Sequence, residues 1–160
     1  ESQSRIQSIA MVHEKLYSSE SFSEIQINQY INDLLNMVVN SIVDVQKDIT
    51  VKKDMEPVTL VVRQAVPCGL LLNELITNCY KHAFEGREEG VISISIQQSD
   101  DNVIRLCVED DGVGLPDDFD IRNQPSLGMT LITTLVRQLD GALSVSSDSG
   151  TYVEISFAID

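Results

Sequence analysis

The chain has 160 residues, with 25 Asp and Glu against 11 Lys and Arg, a formal net charge of −14, and 42% hydrophobic residues. This length suits one globular domain that buries a core without disulfides or a structural metal. The negative charge, which no local basic cluster offsets, would repel nucleic-acid phosphates and anionic membrane surfaces. We therefore expect neither nucleic-acid binding nor direct membrane contact.

The three cysteines, Cys68, Cys79 and Cys107, each lie in an apolar stretch. An odd number of thiols in such surroundings favours reduced, buried side chains and a cytoplasmic location. No apolar run is long enough to span a bilayer, and no signal peptide is recognisable. Because the sequence opens at Glu1 without an initiator Met, we expect a piece of a longer protein.

The first half of the chain shows apolar residues at helical spacing and then two short strand patterns. The expected elements are a helix at 4–17, a polar linker at 18–26, a helix at 27–43, and strands at 49–53 and 58–62. Pro67 can begin a helix, because its missing N–H is unpaired there in any case. We expect this helix to continue from Cys68 to Phe84.

The second half of the chain alternates apolar and polar residues, as in strands with one buried face. The expected elements are a hairpin of strands at 91–97 and 103–108, an acidic loop at 109–125, a helix at 127–139, and strands at 143–147 and 152–159. This order predicts an α+β fold with helices on one face of a mixed sheet.

One side of the helix at 68–84 carries Glu74, Asn78, Lys81 and His82. On spacing alone, such a stripe is the solvated face of an amphipathic helix. The residue types also suit a magnesium-nucleotide site, because an amide oxygen can ligate the cation, a lysine can neutralise phosphate and a carboxylate can take a proton. Cys79 and His82 lack the second ligand pair that a zinc site needs.

Two further segments have both an ordinary and a functional interpretation, and a third has only an ordinary one. Residues 109–116 follow a strand and combine carboxylates with glycines, which fits an acidic turn or close approach of the backbone to a ligand. Residues 126–130 open a helix, where a capping serine or a phosphate could occupy the free N–H groups. Residues 149–151 form a turn.

In this order, the sequences NELITNCYKHAF at 73–84, DDGVG at 110–114, SLGMTLI at 126–132 and GT at 150–151 resemble the N, G1, G2 and G3 boxes of histidine kinases. The four boxes together are specific to the ATP-binding fold shared by gyrase, Hsp90, histidine kinases and MutL. The first box is most similar to sensor kinases allied to the HWE group, and residues 4–17 resemble the end of their dimerisation hairpin. The resemblance implies a two-layer α/β sandwich (the Bergerat fold) with a mainly antiparallel sheet, preceded by a helical remnant of that hairpin.

The resemblance also implies roles for individual residues. Asn78 would be the magnesium ligand, and Asp110 the acceptor for the adenine amino group. Glu74 would be an activating carboxylate or would act on the magnesium ion indirectly, through its ligands. The remaining nucleotide-binding positions would be Lys81 at the phosphates, His82 near the base or ribose, Gly112 and Gly114 along the base, Gly128, Thr130 and Leu131 where the second box opens its helix, and Thr151 at the adenine end.

The chain departs from the family pattern at two points. It has no Trp before the first glycine box, and no F box is recognisable between Gly114 and Gly128, so the lid over ATP would be short. Arg122, Asn123 and Gln124 are the lid residues that could reach phosphate. The phosphate-accepting histidine would lie upstream of Glu1; His13, followed by Glu14, is an alternative acceptor but falls on the second hairpin helix.

The resemblance implies the catalytic domain of a two-component sensor histidine kinase that transfers the γ-phosphoryl group of Mg-ATP to a histidine of the dimerisation helix. The expected division is the end of that helix at 1–17, a linker at 18–26 and the ATP-binding domain at 27–160. Its partners would be a response regulator receiver domain and a second copy of the full protein, and the isolated fragment would not phosphorylate itself. Alternatives are a serine kinase of the anti-sigma-factor type and a non-catalytic nucleotide-binding module.

Overall fold

We describe a computed structural model of the chain, covering Ile6, Ala10, Glu14, Asn123 and residues 24–42, 47–120 and 126–160. Within these ranges the elements are β1 (Glu24–Gln26), α1 (Ile27–Ile42), β2 (Asp48–Met55), β3 (Thr59–Val61), α2 (Val62–Asn78), a π-helical turn (Cys79–Ala83), β4 (Glu89–Gln98), β5 (Val103–Asp110), α3 (Leu127–Gln138), β6 (Ala142–Ser147) and β7 (Thr151–Ala158). None of the helices in these ranges has the length and apolar character that crossing a bilayer requires.

The main sheet has the strand order β2-β4-β5-β7-β6, with β2 parallel to β4 and the other pairs antiparallel. One face is buried with the helices in a single core, and its central side chains are Ile92, Ile94, Ile96, Ile104, Leu106, Val108, Val153, Ile155 and Phe157. Side chains on the other face are exposed or half-buried. The predicted α+β fold, with helices on one face of a mixed, mainly antiparallel sheet, is confirmed.

The strands β1 and β3 form a second, two-stranded antiparallel sheet in which Ile25 lies opposite Leu60. Both side chains are buried in the core. The prediction of a linker through residue 26 is therefore wrong for 24–26, because a three-residue strand whose partner lies 35 positions away leaves no local pattern. In the expected helix at 4–17, Ile6, Ala10 and Glu14 are helical and exposed, and the other positions lie outside the described residues.

The helix α2 begins at Val62, earlier than the predicted start at Pro67. Pro67 therefore lies inside the helix, where it removes one backbone hydrogen bond. Gln64 and Ala65 are buried in the added turn, and the Gln64 side chain binds the end of β7 through Ala158 O at 2.7 Å and Asp160 N at 3.2 Å. This burial and pairing offset the bond that proline cannot make.

The last turn of the predicted helix at 68–84 widens into the π turn Cys79–Ala83. The bonds of a π turn join residues five positions apart, and single π turns occur often at functional sites. Here the turn brings Thr77 and Asn78 to the same cavity as His82 and Ala83. The predicted polar stripe was based on a regular α-helix. It therefore did not include the change in side-chain direction that the π turn introduces after Asn78.

The strand β5 is also longer than predicted, because Glu109 and Asp110 belong to it rather than to the acidic loop. In the register with β7, Asp110 lies opposite Thr151. The predicted hairpin of β4 and β5, the helix α3 and the last two strands are confirmed, with ends that differ by one or two residues.

Candidate functional site

A cavity of about 660 Å³ lies between the second half of α2, the end of β5, the loop after β5, the start of α3 and β7. Seven of the predicted site residues line it: Glu74, Asn78, His82, Asp110, Gly114, Gly128 and Thr151. These residues come from all four of the sequence boxes. The fold therefore brings the boxes together around one space large enough for a small-molecule ligand.

A second cavity of about 930 Å³ lies on the other side of the loop at 115–119, beside β6 and the end of α3. It shares Leu115, Pro116, Phe119 and Val145 with the first cavity. None of the predicted site residues lines it. We therefore assign the candidate site to the smaller cavity.

We call one end of the cavity the base end, after the role that the resemblance implies for Asp110. It comprises the lining residues Cys79, Asp110 and Thr151 and, packed behind them, Gly112 and Gly150. Asp110 is 4% exposed, and its Oδ1 accepts hydrogen bonds from the backbone N–H of Gly112 at 3.0 Å and of Thr151 at 3.2 Å. Its Oδ2 accepts a bond from the Cys79 thiol, with 3.6 Å between sulfur and oxygen. The carboxylate is thus held in one orientation at the cavity wall.

Two glycines allow the backbone to pack closely around Asp110. A Cβ on Gly150, whose φ is +117°, would lie 1.8 Å from the Asp110 carbonyl oxygen. A Cβ on Gly112 would lie 2.1 Å from the Ala83 carbonyl oxygen, next to the bond that Val113 N–H donates to the same oxygen at 2.8 Å. Gly112 thus packs behind the wall against the π turn and does not itself line the cavity.

The Cys79 thiol is buried beside the Asp110 carboxylate. Burial raises the pKa of this thiol well above its ordinary value, and the charge of Asp110 raises it further. Both effects disfavour the thiolate, because a second negative charge would have to form without solvent next to the first. At neutral pH Cys79 therefore keeps its proton and can donate a hydrogen bond to Asp110.

A second group of lining residues comprises Glu74, Thr77 and Asn78 of α2 together with Ser126 and Gly128 at the start of α3. We call it the phosphate end, after the role that the resemblance implies for these boxes. Glu74 is 4% exposed and accepts a bond from Asn73 Nδ2 at 3.4 Å. A carboxylate buried to this degree does not belong to a solvated helix face. At Glu74, the structure therefore favours a functional site over the solvated face of an amphipathic helix.

The Thr77 hydroxyl oxygen is buried and has no hydrogen-bond partner among the described residues. Three threonines of α3 behave differently, because each donates to the carbonyl oxygen four residues earlier: Thr130 to Ser126, Thr133 to Met129, and Thr134 to Thr130. Buried polar atoms are rarely left unpaired. Thr77 lines the cavity, but its hydroxyl oxygen is buried, so a polar ligand or water would reach this oxygen only after the side chain turns toward the cavity.

At the start of α3, Ser126 caps the helix by accepting a bond from Met129 N–H at 3.1 Å. Gly128 lines the cavity, whereas the Thr130 hydroxyl is bound to Ser126 O and Leu131 packs against the core. Neither Thr130 nor Leu131 lines the cavity.

Lys81 lies exposed on the π turn and outside the cavity lining. Asn123 donates a bond from its side chain to Asp120 at 2.8 Å and does not line the cavity either. Arg122, Gln124 and His13 lie outside the described residues.

Sequence reasoning missed several lining residues, of which Thr77, Cys79, Phe119 and Val153 are examples. Phe119 had a usable signal, because it is the one aromatic residue between Glu109 and Pro125. Thr77 and Cys79 lie within the first box, next to Asn78. Among the described residues, no group of three or more His, Cys, Asp or Glu side chains could hold a metal by itself.

A family model described as histidine kinase-, DNA gyrase B-, and HSP90-like ATPase matches residues 63–160, and one described as histidine kinase matches residues 1–43. Blue-light-activated histidine kinase 2 of Erythrobacter litoralis is 34% identical over 118 residues, which are 73% of this chain and 34% of that protein. Sensor histidine kinase PdtaS of Mycobacterium tuberculosis is 31% identical over 147 residues, 91% of this chain and 29% of that protein. The chain thus spans about a third of the length of these relatives.

A shorter match, to the anti-sigma F factor of Priestia megaterium, is 34% identical over 55 residues, 34% of this chain and 37% of that protein. Among solved structures, the histidine kinase domain of the blue-light activated histidine kinase of Erythrobacter litoralis EL346 has a TM-score of 0.88 at 26% identity, covering 98% of this chain and 74% of that one. With a family model that covers the nucleotide-binding boxes and most of the chain, the protein belongs to the family of histidine kinase-, DNA gyrase B- and HSP90-like ATPases, on the sensor histidine kinase branch.

Proposed function

We propose that this chain is the ATP-binding catalytic domain of a two-component sensor histidine kinase. It binds Mg-ATP and transfers the γ-phosphoryl group to a histidine of the dimerisation helix that lies upstream of Glu1. The observation that carries the proposal is the buried, firmly held Asp110 carboxylate, which shares one cavity with Glu74 and Asn78. One end of that cavity suits a purine base and the other suits phosphates.

At the base end, Asp110 accepts a hydrogen bond from the exocyclic amino group of adenine. Thr151 and Gly114 line the same end, and Gly112 supports it from behind through Ala83. Leu75, Val108, Met129 and Val153 supply apolar surface for the faces of the base, together with other lining residues. His82 at the rim contacts the base or the ribose.

At the phosphate end, the donors present fit a magnesium ion that is bound together with a nucleotide. Magnesium prefers oxygen ligands and commonly takes one or two from the protein and the rest from phosphates and water. Asn78 would supply an amide oxygen, and Glu74 would act on the ion from one turn earlier. Bound there, the ion would neutralise phosphate charge, which matters beside the acidic segment 100–120, whose one basic residue is Arg105.

Catalysis then consists mainly of positioning and charge stabilisation. The imidazole nitrogen of the acceptor forms a bond to the γ-phosphorus as the bond from phosphorus to ADP breaks. Glu74 accepts the proton that the acceptor imidazole gives up as its bond to phosphorus forms, and Lys81 approaches the phosphates from the exposed π turn. Gly128, Thr130 and Leu131 shape the start of α3, whose free N–H groups face phosphate.

In the full protein, this domain lies in the cytoplasm, two copies pair through their dimerisation helices, and the phosphoryl group passes to a response regulator receiver domain. Residues 1–17 are the end of the dimerisation helix in this scheme. The chain on its own binds nucleotide but does not phosphorylate itself, because the acceptor histidine lies outside it; His13 is the less favoured acceptor.

Two measurements test the proposal. Calorimetric titration with a non-hydrolysable ATP analogue should show saturable binding that depends on magnesium and is strongly weakened in Asn78→Ala and Asp110→Ala. Labelled ATP should phosphorylate a separately supplied dimerisation hairpin that carries the acceptor histidine. Binding that both substitutions leave unchanged contradicts the nucleotide site, and tight binding without transfer favours a non-catalytic module.

The partial match to an anti-sigma factor supports a second candidate, a protein serine kinase. The four-residue separation of Glu74 and Asn78 is shared by both kinds of kinase. The two candidates differ in the acceptor, so phosphoamino-acid analysis separates them. Acid-labile label on the hairpin supports the histidine kinase, whereas acid-stable label on a serine of a partner protein supports the alternative.

A further inference from the structure

We propose that Cys79 is a positioning residue that orients the Asp110 carboxylate and thereby sharpens the selection of adenine over other purines. This inference rests on the proposed function, since it assumes that Asp110 receives the base. It gives a role to Cys79, a residue of the base end to which the proposed function assigns none.

The geometry of Asp110 leaves little freedom for its carboxylate. A carboxylate oxygen has two lone-pair positions, four for the group. Two backbone N–H groups, from Gly112 and Thr151, bind Oδ1, and the Cys79 thiol binds Oδ2. These three bonds leave one acceptor position, on Oδ2, for a ligand in the cavity.

The three donors come from three different parts of the fold. Gly112 belongs to the loop after β5, Thr151 opens β7, and Cys79 begins the π turn. The two N–H groups hold Oδ1, and among the described residues the Cys79 thiol is the group that holds Oδ2. Without the thiol, rotation about the bond from Cβ to the carboxyl carbon is opposed at one oxygen alone.

The thiol can serve as a donor because it is buried and protonated. Its side chain is 8% exposed, and both burial and the neighbouring carboxylate disfavour loss of its proton. The thiol also lines the cavity, so it lies next to any base that Asp110 receives.

A fixed acceptor on Oδ2 distinguishes purines by their 6-substituent. Adenine presents an amino donor at this position, whereas guanine presents a carbonyl oxygen that the carboxylate repels. A carboxylate that can rotate loses part of this discrimination, because it can turn its charge away from the wrong group or admit a bridging water.

The experiment compares Mg-ATP with the triphosphate of purine riboside, which lacks the 6-amino group, by calorimetric titration of the full chain. The variants are Cys79→Ala, which removes the donor, Cys79→Ser, which keeps one, Asp110→Asn, and Cys68→Ala as the matched control. Cys68 is a buried thiol on α2, the helix that leads into the π turn, and lies outside the cavity lining. Thermal unfolding of each variant is measured in parallel.

We expect Cys79→Ala to weaken ATP binding about three- to fivefold, as for loss of one modest hydrogen bond, and to leave binding of the purine riboside nucleotide unchanged. Cys79→Ser should recover part of the loss. Cys68→Ala should lower the unfolding temperature without changing the ratio of the two affinities.

The outcomes distinguish a failure of the proposed function from a failure of the role of Cys79 alone. If Asp110→Asn leaves the ratio of affinities unchanged, Asp110 does not receive the base and the proposed function fails together with the inference. If Asp110→Asn lowers the ratio but Cys79→Ala does not, the role of Cys79 alone is overturned. Equal weakening of both nucleotides by Cys79→Ala also overturns it, because that result indicates packing.

Discussion

The two ends of the cavity are built in different ways. At the base end, a buried carboxylate is fixed by backbone N–H groups from one loop and one neighbouring strand, and glycines remove every Cβ that would obstruct this packing. At the phosphate end, Ser126 and Leu127 are exposed, with Leu127 71% exposed, and the Thr77 hydroxyl has no partner among the described residues. The base end is therefore held by hydrogen bonds within the protein, whereas part of the phosphate end is open to solvent.

This difference indicates that the two ends would contribute to ligand binding in different ways. Rigid, buried hydrogen-bonding groups give specificity, because a ligand that does not match them leaves them unpaired. Groups at an exposed helix end contribute through charge, and they depend on a cation and on the ligand to complete them. Base selection would then survive changes at the phosphate end, which can be tested by substitutions at each end.

The largest effect is expected for Gly150→Ala at the base end. Its Cβ would lie 1.8 Å from the Asp110 carbonyl oxygen at a φ of +117°, so overpacking and backbone strain together should cost about 3 kcal/mol or more of unfolding free energy. Gly86→Ala is the matched control, because Gly86 also has a positive φ but nothing lies within 4 Å of its Cβ. Urea unfolding checks the pair, and equal losses would contradict the close packing of the base end.

The second prediction distinguishes the two ends by comparing the binding of ATP, which has phosphates, with that of adenosine, which has none. Asp110→Asn should weaken binding of ATP and of adenosine alike, by about 1.5–3 kcal/mol or roughly ten- to hundredfold. Asn78→Ala should weaken ATP to a similar extent only in the presence of magnesium and leave adenosine unchanged. Titrations with both ligands, with and without magnesium, check this, and loss of adenosine binding in Asn78→Ala would contradict the division.

A smaller effect is expected from the cap of α3. Ser126→Ala removes the acceptor for Met129 N–H and should lower the unfolding free energy by about 1 kcal/mol. ATP binding should weaken a few-fold because the first turn of the helix frays, whereas adenosine binding should not change. Thr134→Ala, an exposed position one turn further along, is the control and should leave both affinities unchanged.

The smallest effect concerns the Thr77 hydroxyl. Thr77→Val keeps the shape of the side chain and removes an oxygen without a partner among the described residues, so the unfolding free energy should stay equal or rise by up to about 1 kcal/mol. The same change at Thr133 breaks a bond to Met129 O and should not stabilise the fold. A few-fold loss of Mg-ATP affinity in Thr77→Val, without a loss of stability, would assign the hydroxyl to the ligand.

The sequence was most informative where a local pattern determines the structure. The alternation of Ile92, Ile94 and Ile96 predicted a strand with one buried face, and the four boxes predicted which segments meet around the cavity. The apolar spacing at 27–43 and at 127–139 was also sufficient to predict a helix in each segment, because the apolar residues of each helix pack on one side. These features depend on neighbours within a few positions.

Features that depend on distant partners were not predictable. The strand β1 exists because Ile25 meets Leu60, and the parallel pairing of β2 with β4 joins segments some 40 residues apart. Cys79 was interpreted as a small apolar residue, since its bond to Asp110 spans 31 positions and follows from the π turn. The burial of Glu74, in contrast to the exposure of Lys81, likewise depends on the elements that close over α2.

The pairing of Gln64 with Ala158 and Asp160 has a mechanical consequence for the cavity. It joins the first turn of α2 to the last residues of β7, whereas Asn78 and Thr151 lie at the other ends of these two elements. At the usual rise per residue, both stretches are about 21–24 Å long. The two walls are thus joined at the ends that lie far from the cavity. A rotation of α2 against β7 about Gln64 would therefore displace Asn78 relative to Thr151 much more than it displaces the joined ends.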